Sequence, residues 1–282
     1  MNTKIEFYAD SHTYWHDDHN IPSVGSYLDM IFPSFDREYW LTYKTLSNIF
    51  PEKFTIAKLG TRSITPSINM LLSSMKLSQS EVLSFFEHRQ KLQDQWKKEE
   101  ILSSKRGTDF HFKAETIAYE QGYLINPFDK KKYEVIKKPK HHFFDNYAID
   151  DDLFAIKDGV HLELVVFDPH LKVCGQVDMA YVETIDGVRY IDIDDHKTTK
   201  KKPEKSSIQN CAAPIDWLMA SKHNKYCCQI SFYAYIMEMW GFTVRNLGYT
   251  HYKNYNLSKP DLVEVSYLSS VTDYLYNSFY LR

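Results

Sequence analysis

The chain has 282 residues, 43% of them hydrophobic and 15% aromatic, which is enough apolar surface for a folded core and too much for a disordered polymer. A formal net charge of −3 excludes a surface-wide polyanion binder, so any contact with nucleic acid has to be local. Cys174, Cys211, Cys227 and Cys228 make no CxxC pair and read as reduced thiols. With no apolar leader and no run of membrane-spanning length, the expected location is the cytoplasm.

Residues 1 to 75 read as an aromatic-rich appendage punctuated by Pro22, Pro33, Pro51 and Pro66, strand-like over 5–14 and then carrying short helices. Ser78-Gln79-Ser80-Glu81 has the spacing of a capping box and starts a helical stretch toward Lys98. A second helix is expected over 108–121, with His111 and Glu115 four apart on one face. Residues 126–150 are charged and read as irregular. A strand-rich core follows from near Val160. Its first strand, over 161–167, carries Glu163 as a charge inside an apolar run. The next, over 173–183, has apolar Val173, Val177, Met179 and Val182. Asp186-Gly187 is a preferred dipeptide of a tight hairpin turn, and 187–197 returns with Val188, Tyr190, Ile191 and Ile193. Residues 226–237 read as a helix ending near Gly241, with Gln229 and Tyr233 on one face. Strands near 246–252 and 262–267 and a terminal helix complete the chain. Helix, three strands, helix, strand is the order of an α/β core, here expected over residues 76–282.

The chemistry concentrates at Gly175-Gln176-Val177-Asp178 and Asp195-His196-Lys197-Thr198. If the hairpin forms, Asp178 and Asp195 approach each other, and Asp195 and Lys197, two apart on a strand, share a face. Two carboxylates and an ammonium suit phosphodiester cleavage. A divalent cation held by carboxylate oxygens neutralises the phosphate and activates water, and lysine adds a compact positive charge. Asp192 and Asp194 fall on the face opposite Asp195, where a helix should pack. Either that face is partly open or the strand is bulged, which keeps Asp194 as a reserve candidate. His196 reads as structural. Lys200, Lys201, Lys202 and Lys205 follow the strand and favour phosphate contact; residues 130–140 are similarly lysine-rich.

In this order, Gly107-Thr108-x-x-His111-x-x-x-Glu115, Glu163, Gly175-x-x-Asp178, Asp195-x-Lys197-Thr198 and Gln229-x-x-x-Tyr233 resemble the PD-(D/E)XK nuclease superfamily, in its RecB-type and phage-exonuclease branch. The resemblance covers roughly residues 95 to 255. Ser11-His12-Thr13-Tyr14 and Ile21-Pro22-Ser23-Val24 also look like the opening of phage-encoded members. The resemblance implies a mixed central sheet flanked by helices, a restriction-endonuclease-like core, with the α-rich appendage at the N-terminus. It implies a Mg²⁺- or Mn²⁺-dependent deoxyribonuclease, an exonuclease before an endonuclease, acting on DNA in phage or host recombination and repair, within the host cytoplasm. His111, Asp178 and Asp195 would be metal ligands, joined by the main-chain carbonyl of His196, and Lys197 the catalytic lysine. Glu163 would be an acidic accessory; Gln229 and Tyr233 would support the site or touch the DNA backbone, and Lys200, Lys201 and Lys202 would bind phosphates. His111 would bind metal as neutral imidazole, titrating near the ordinary value of about 6.5. The alternative is a nuclease fold kept as a DNA-binding or virion structural component without turnover. A third reading keeps the chemistry but moves it to RNA or to internal cleavage.

Overall fold

A computed structural model describes residues 5–8, 13–16, 18–53, 68–136, 147–149, 156–168, 170–207 and 209–280. Ser11 and His12 of the opening segment, Pro66, and 137–140 of the second lysine-rich run lie outside the described residues. Strands β1 (Ile5–Tyr8), β2 (Thr13–His16) and β3 (His19–Ile21) lead into helices α1 (Val24–Asp29), α2 (Arg37–Ile49), α3 (Ile68–Ser74) and α4 (Gln79–Gln121). Short strands β4 (Tyr123–Ile125), β5 (Lys132–Glu134) and β6 (Tyr147–Ile149) come next. The core follows as β7 (Gly159–Asp168), β8 (Val173–Ile185), β9 (Val188–Lys197), α5 (Lys222–Met239), β10 (Thr243–Tyr252), β11 (Pro260–Glu264) and α6 (Ser269–Tyr280).

The protein is a mixed α/β structure built on a five-stranded sheet of order β11-β10-β9-β8-β7. The Asp186-Gly187 turn forms as expected. Both residues have positive φ, 51° and 78°, as a two-residue primed turn requires, and β8 pairs antiparallel with β9 from Ile185↔Val188 to Met179↔Asp194. The parallel pair in the sheet, β9 with β10, is joined by the α5 crossover. Ser221 caps α5 by accepting a hydrogen bond from the Asn224 N–H at 3.0 Å. Ile230, Phe232, Ala234, Ile236 and Met237 of α5 share a core with Ile191 and Ile193 of β9. On the opposite face, Ala118 of α4 packs with Val160, Leu162, Met179 and Tyr181, while Phe110 and Ala114 pack on Tyr252. The sheet is therefore covered by helices on both sides.

Several features differ from what the sequence predicts. The capping box is present, with the Ser78 N–H donating to Glu81 at 2.8 Å and the Glu81 N–H to Ser78 at 3.3 Å, but the two expected helices are one 43-residue helix. No proline lies between Gln79 and Gln121, and the single Gly107 costs only about 1 kcal/mol of helix propensity, so nothing stops the turn-by-turn bonding. The region expected to be irregular, 126–150, holds β6 and also β5, which pairs back onto β4 and whose following residue Val135 bridges to Val160. The chain also divides into two compact units, residues 1–33 with 107–282 and residues 34–106, rather than at residue 75. Its first strands belong with the core unit because β1 pairs with β6 far along the chain, and Cys174 of β8 donates its N–H to the Pro22 carbonyl. In the second unit Leu46, Leu72, Met75 and Phe85 form a small core, flanked by ion pairs Arg37–Glu100 and Lys53–Glu81, both at 2.6 Å. Among the described residues no helix is long and apolar enough to cross a membrane.

The face carrying Asp192 and Asp194 is neither open nor bulged in β9. Both aspartates are buried, at 0% and 3% exposure, and β9 stays in register with β8. The irregularity lies in the neighbour: β10 shifts register between Val244 and Asn246. The extra residue, Arg245, donates from Nε and Nη2 to the two Asp192 oxygens at 3.0 and 2.6 Å. Asn126 and Asn246 donate to the same carboxylate at 2.7 and 2.8 Å. A buried acid with four donors is tolerated because its desolvation is repaid by charge-assisted bonds. Removing the cation should therefore be costly. Arg245→Ala is expected to lower unfolding free energy by about 3 kcal/mol in urea titration, and a second change of Asp192 to Asn should recover part of that loss.

Candidate metal centre and cleft

The site forms where β7, β8, β9 and the second part of α4 meet. Glu163 sits mid-strand in β7 with φ of +48°, a left-handed conformation that costs a non-glycine residue about 1–3 kcal/mol. The β7/β8 ladder lapses there, pairing Leu162↔Met179 and Leu164↔Val177 but not Glu163 with Asp178. Two long hydrogen bonds brace the distorted residue: Gln176 Nε2 donates to the Glu163 carbonyl at 3.5 Å, and Tyr14 donates its OH to Gln176 at 3.4 Å. The distortion brings the Glu163 carboxylate beside Asp178. From α4, His111 Nδ1 reaches both, 3.4 Å from Glu163 Oε1 and 3.5 Å from Asp178 Oδ1. One donor atom from each of the three lies within 4.8 Å of the others. The second Asp178 oxygen accepts the His196 N–H at 2.5 Å, which fixes the carboxylate against β9.

Asp195 and Lys197 stand next to this group. Asp195 is 2% exposed, and its Oδ2 pairs with the Lys197 ammonium. Burial pushes Asp195 up to about 6 against the pull of Lys197, and it also raises Asp178, where Glu163 adds to the effect and His111 opposes it. Burial alone would lower His111, but Asp178, Glu163 and Asp195 together raise it to about 9. Lys197 is likewise held above its ordinary value by Asp195 and Asp178 despite burial. Three buried carboxylates thus face two cations.

That charge pattern fits a hard divalent cation. The two carboxylate oxygens suit Mg²⁺ or Mn²⁺, the imidazole nitrogen favours Mn²⁺ of the two, and among the described residues no cysteine lines the cleft. His111, Glu163 and Asp178 are the residues that could hold it. Glu163, read from sequence as an accessory, stands inside the donor group. Asp195 lies outside that trio and is engaged by Lys197. The His196 ring packs against Phe110 and Tyr252 at centroid distances of 6.0 and 5.0 Å, and burial lowers it to about 3, so it is a neutral structural ring. Asp194 is turned to the other face, bonded to Thr250 at 2.7 Å and raised by burial to about 7.

Gln229 Nε2 donates to the Tyr233 OH at 2.7 Å, and both line the cleft. Tyr233 also explains the glycine of Gly175-x-x-Asp178: a Cβ on Gly175 would stand 2.4 Å from the tyrosine ring. Lys200, Lys201 and Lys202 lie on the loop after β9 and do not line the cleft; Lys202 is paired with Asp261 at 2.7 Å. The cleft, of about 380 Å³, is completed by Tyr14, Ser23, Gly25, Gly107, Thr108 and Gln176. Gln176, part of the Gly175-Gln176-Val177-Asp178 stretch, was given no role from sequence, although it stands two residues before Asp178, a spacing that signals a shared strand face. Its bond to the Glu163 carbonyl had no signal at all, since it follows from the left-handed turn. No protein-family model matches the chain, and no curated protein is similar to it in sequence.

The charges have a pH consequence. His111, raised in the fold, contributes stability that is complete below about 6.5 and is lost as pH rises through about 9. Asp195 and Asp194, raised acids, contribute stability below about 3.9 that is lost through about 6 and 7. All three act in the same direction. The melting temperature of the metal-free protein should therefore fall as pH is raised from about 6 to about 9, while Mn²⁺ affinity climbs as the His111 proton leaves. Calorimetry in buffers of different ionisation enthalpy should find close to one proton released per ion at neutral pH. His111→Gln should abolish that release, and binding that is independent of pH would remove the histidine from the centre.

Proposed function

We propose that this chain is a metal-dependent DNA nuclease of the PD-(D/E)XK kind, with a restriction-endonuclease-like core, working as an exonuclease in phage or host DNA processing. The observation that carries the reading is the convergence of Asp178, Asp195 and Lys197 with His111 and Glu163 in one cleft. A bound Mg²⁺ or Mn²⁺ would supply neutralisation of the phosphate and a water of lowered pKa. The chain's own residues divide the remaining work. His111, Glu163 and Asp178 fix the position of positive charge at the cleft floor. Asp195 orients the Lys197 ammonium, which directs the attacking water or meets the negative charge developing on the phosphoryl oxygens. Ser23 and Thr108 bring uncharged hydroxyls to the cleft wall, suited to phosphate oxygens, and Gln229 with Tyr233 backs the site. Lys200 and Lys201 follow the catalytic strand and suit the DNA backbone beyond the cleft.

The burial of these acids and the strained φ of Glu163 support catalysis over a purely structural role, because both are destabilising and neither is needed to close the sheet. The buried free thiols suit the reducing interior of a host cell.

End-labelled linear DNA and covalently closed circular DNA, incubated with Mg²⁺, Mn²⁺ or chelator, test the reading. Metal-dependent loss of the linear substrate alone is expected. Asp178→Asn and Asp195→Asn should each abolish cleavage. Lys197→Ala should lower turnover by about 10²–10³-fold while keeping the thermal stabilisation that Mn²⁺ gives. Cutting of the circle would make the protein an endonuclease. DNA binding without cleavage under every condition would favour the structural alternative.

A further inference from the structure

We propose that Tyr226 is a positioning residue for the Lys197 ammonium, a role that rests on the nuclease reading for its kinetic consequence but not for its geometry. Lys197 ends β9 on a long, flexible side chain, and Asp195 is its carboxylate partner. One ion pair fixes a distance but leaves the ammonium free to swing about the carboxylate. The second restraint comes from the first turns of α5. The Tyr226 ring centroid lies 4.5 Å from Lys197 Nζ, within the reach of a cation–π contact.

Tyr226 is not among the residues lining the cleft, so its ring holds the lysine from behind. The ring is itself held. It meets Tyr249 edge-on, at 5.6 Å and 72°, and Tyr249 is fully buried with its OH 2.9 Å from His223 Nδ1. Lys222 approaches the same ring at 5.9 Å from the exposed start of the helix, a weaker contact that leaves the nearer position to Lys197.

An aromatic ring at this place has a physical advantage over a second carboxylate. Its quadrupole attracts the ammonium and sets its direction without adding formal negative charge where a phosphate must approach. The lysine stays charged and aimed, and its charge is not spent on a second ion pair.

The test uses the full chain in Mg²⁺ and two readouts. In the first, lysine side-chain NMR signals report the ring current of Tyr226, with Lys197→Arg assigning the resonance. The Lys197 signal should be displaced in the wild type, return toward an ordinary position in Tyr226→Met and Tyr226→Leu, and stay displaced in Tyr226→Phe. In the second, turnover on linear DNA should fall about tenfold in the Met and Leu variants, with KM and the melting gain from Mn²⁺ held, and the Phe variant should restore it. Methionine is unbranched and close to tyrosine in length, so it carries the test if the leucine variant does not fold. A Lys197 signal unmoved by Tyr226→Met overturns the role. So does an active protein whose turnover is unchanged in that variant. If the wild type cleaves no DNA but the signal moves as described, the positioning contact stands and the nuclease reading is what fails.

Discussion

Three carboxylates, those of Glu163, Asp178 and Asp195, are buried on neighbouring strands of a sheet covered by helices on both faces. Two unit charges about 4 Å apart repel by roughly 4 kcal/mol at the effective dielectric of a protein site. Much of the local architecture answers to that repulsion. Lys197 is held charged, His111 gains a proton, and Asp178 and Asp195 are pushed toward the neutral form. Each response is partial. A divalent ion between His111, Glu163 and Asp178 would relieve that repulsion.

Strand β9 carries three aspartates, Asp192, Asp194 and Asp195, that solve the burial problem in different ways. Asp192 is fully satisfied by Arg245, Asn126 and Asn246, so it has no capacity left for a ligand. Asp194 has Thr250 as its partner and is driven toward neutrality. Asp195 has Lys197 and faces the cleft. Hydrogen-bond saturation, not residue type, separates the structural acid from the chemical one.

The parts legible in the sequence were those governed by local rules. Asp186-Gly187 encodes a turn through its need for positive φ, Ser78 and Glu81 encode a helix start, and period-two spacing places Asp195 and Lys197 together. The parts that escaped depend on distant partners. The bulge that delivers Arg245 to Asp192 is a property of the β9/β10 pairing, and nothing in the segment around Val244 announces it. The left-handed Glu163 is braced by Gln176, itself held by Tyr14, so an apolar run with one acid could not disclose where that acid would point. The break expected between Lys98 and Thr108 does not form, because helix propensity is a weak local term and the turns on either side of Gly107 outweigh the cost of that one glycine. The pairing of β1 with β6 joins segments separated by most of the first half of the chain, beyond the reach of any window.

The donors of the centre come from three elements that are remote in the chain: His111 from a helix, Glu163 from one strand and Asp178 from the next. None is near another until the β7/β8/β9 meander has formed and α4 has packed on it. An unfolded chain therefore presents no comparable site, and an ion bound here stabilises the folded state by mass action. Gly175 shows how tightly that assembly is specified from the other face. Only a residue without a side chain lets Tyr233 close on β8, and Tyr233 in turn anchors Gln229 at the cleft wall. The positions of the acids are thus set by packing on both sides of the sheet, which holds their charges together against repulsion.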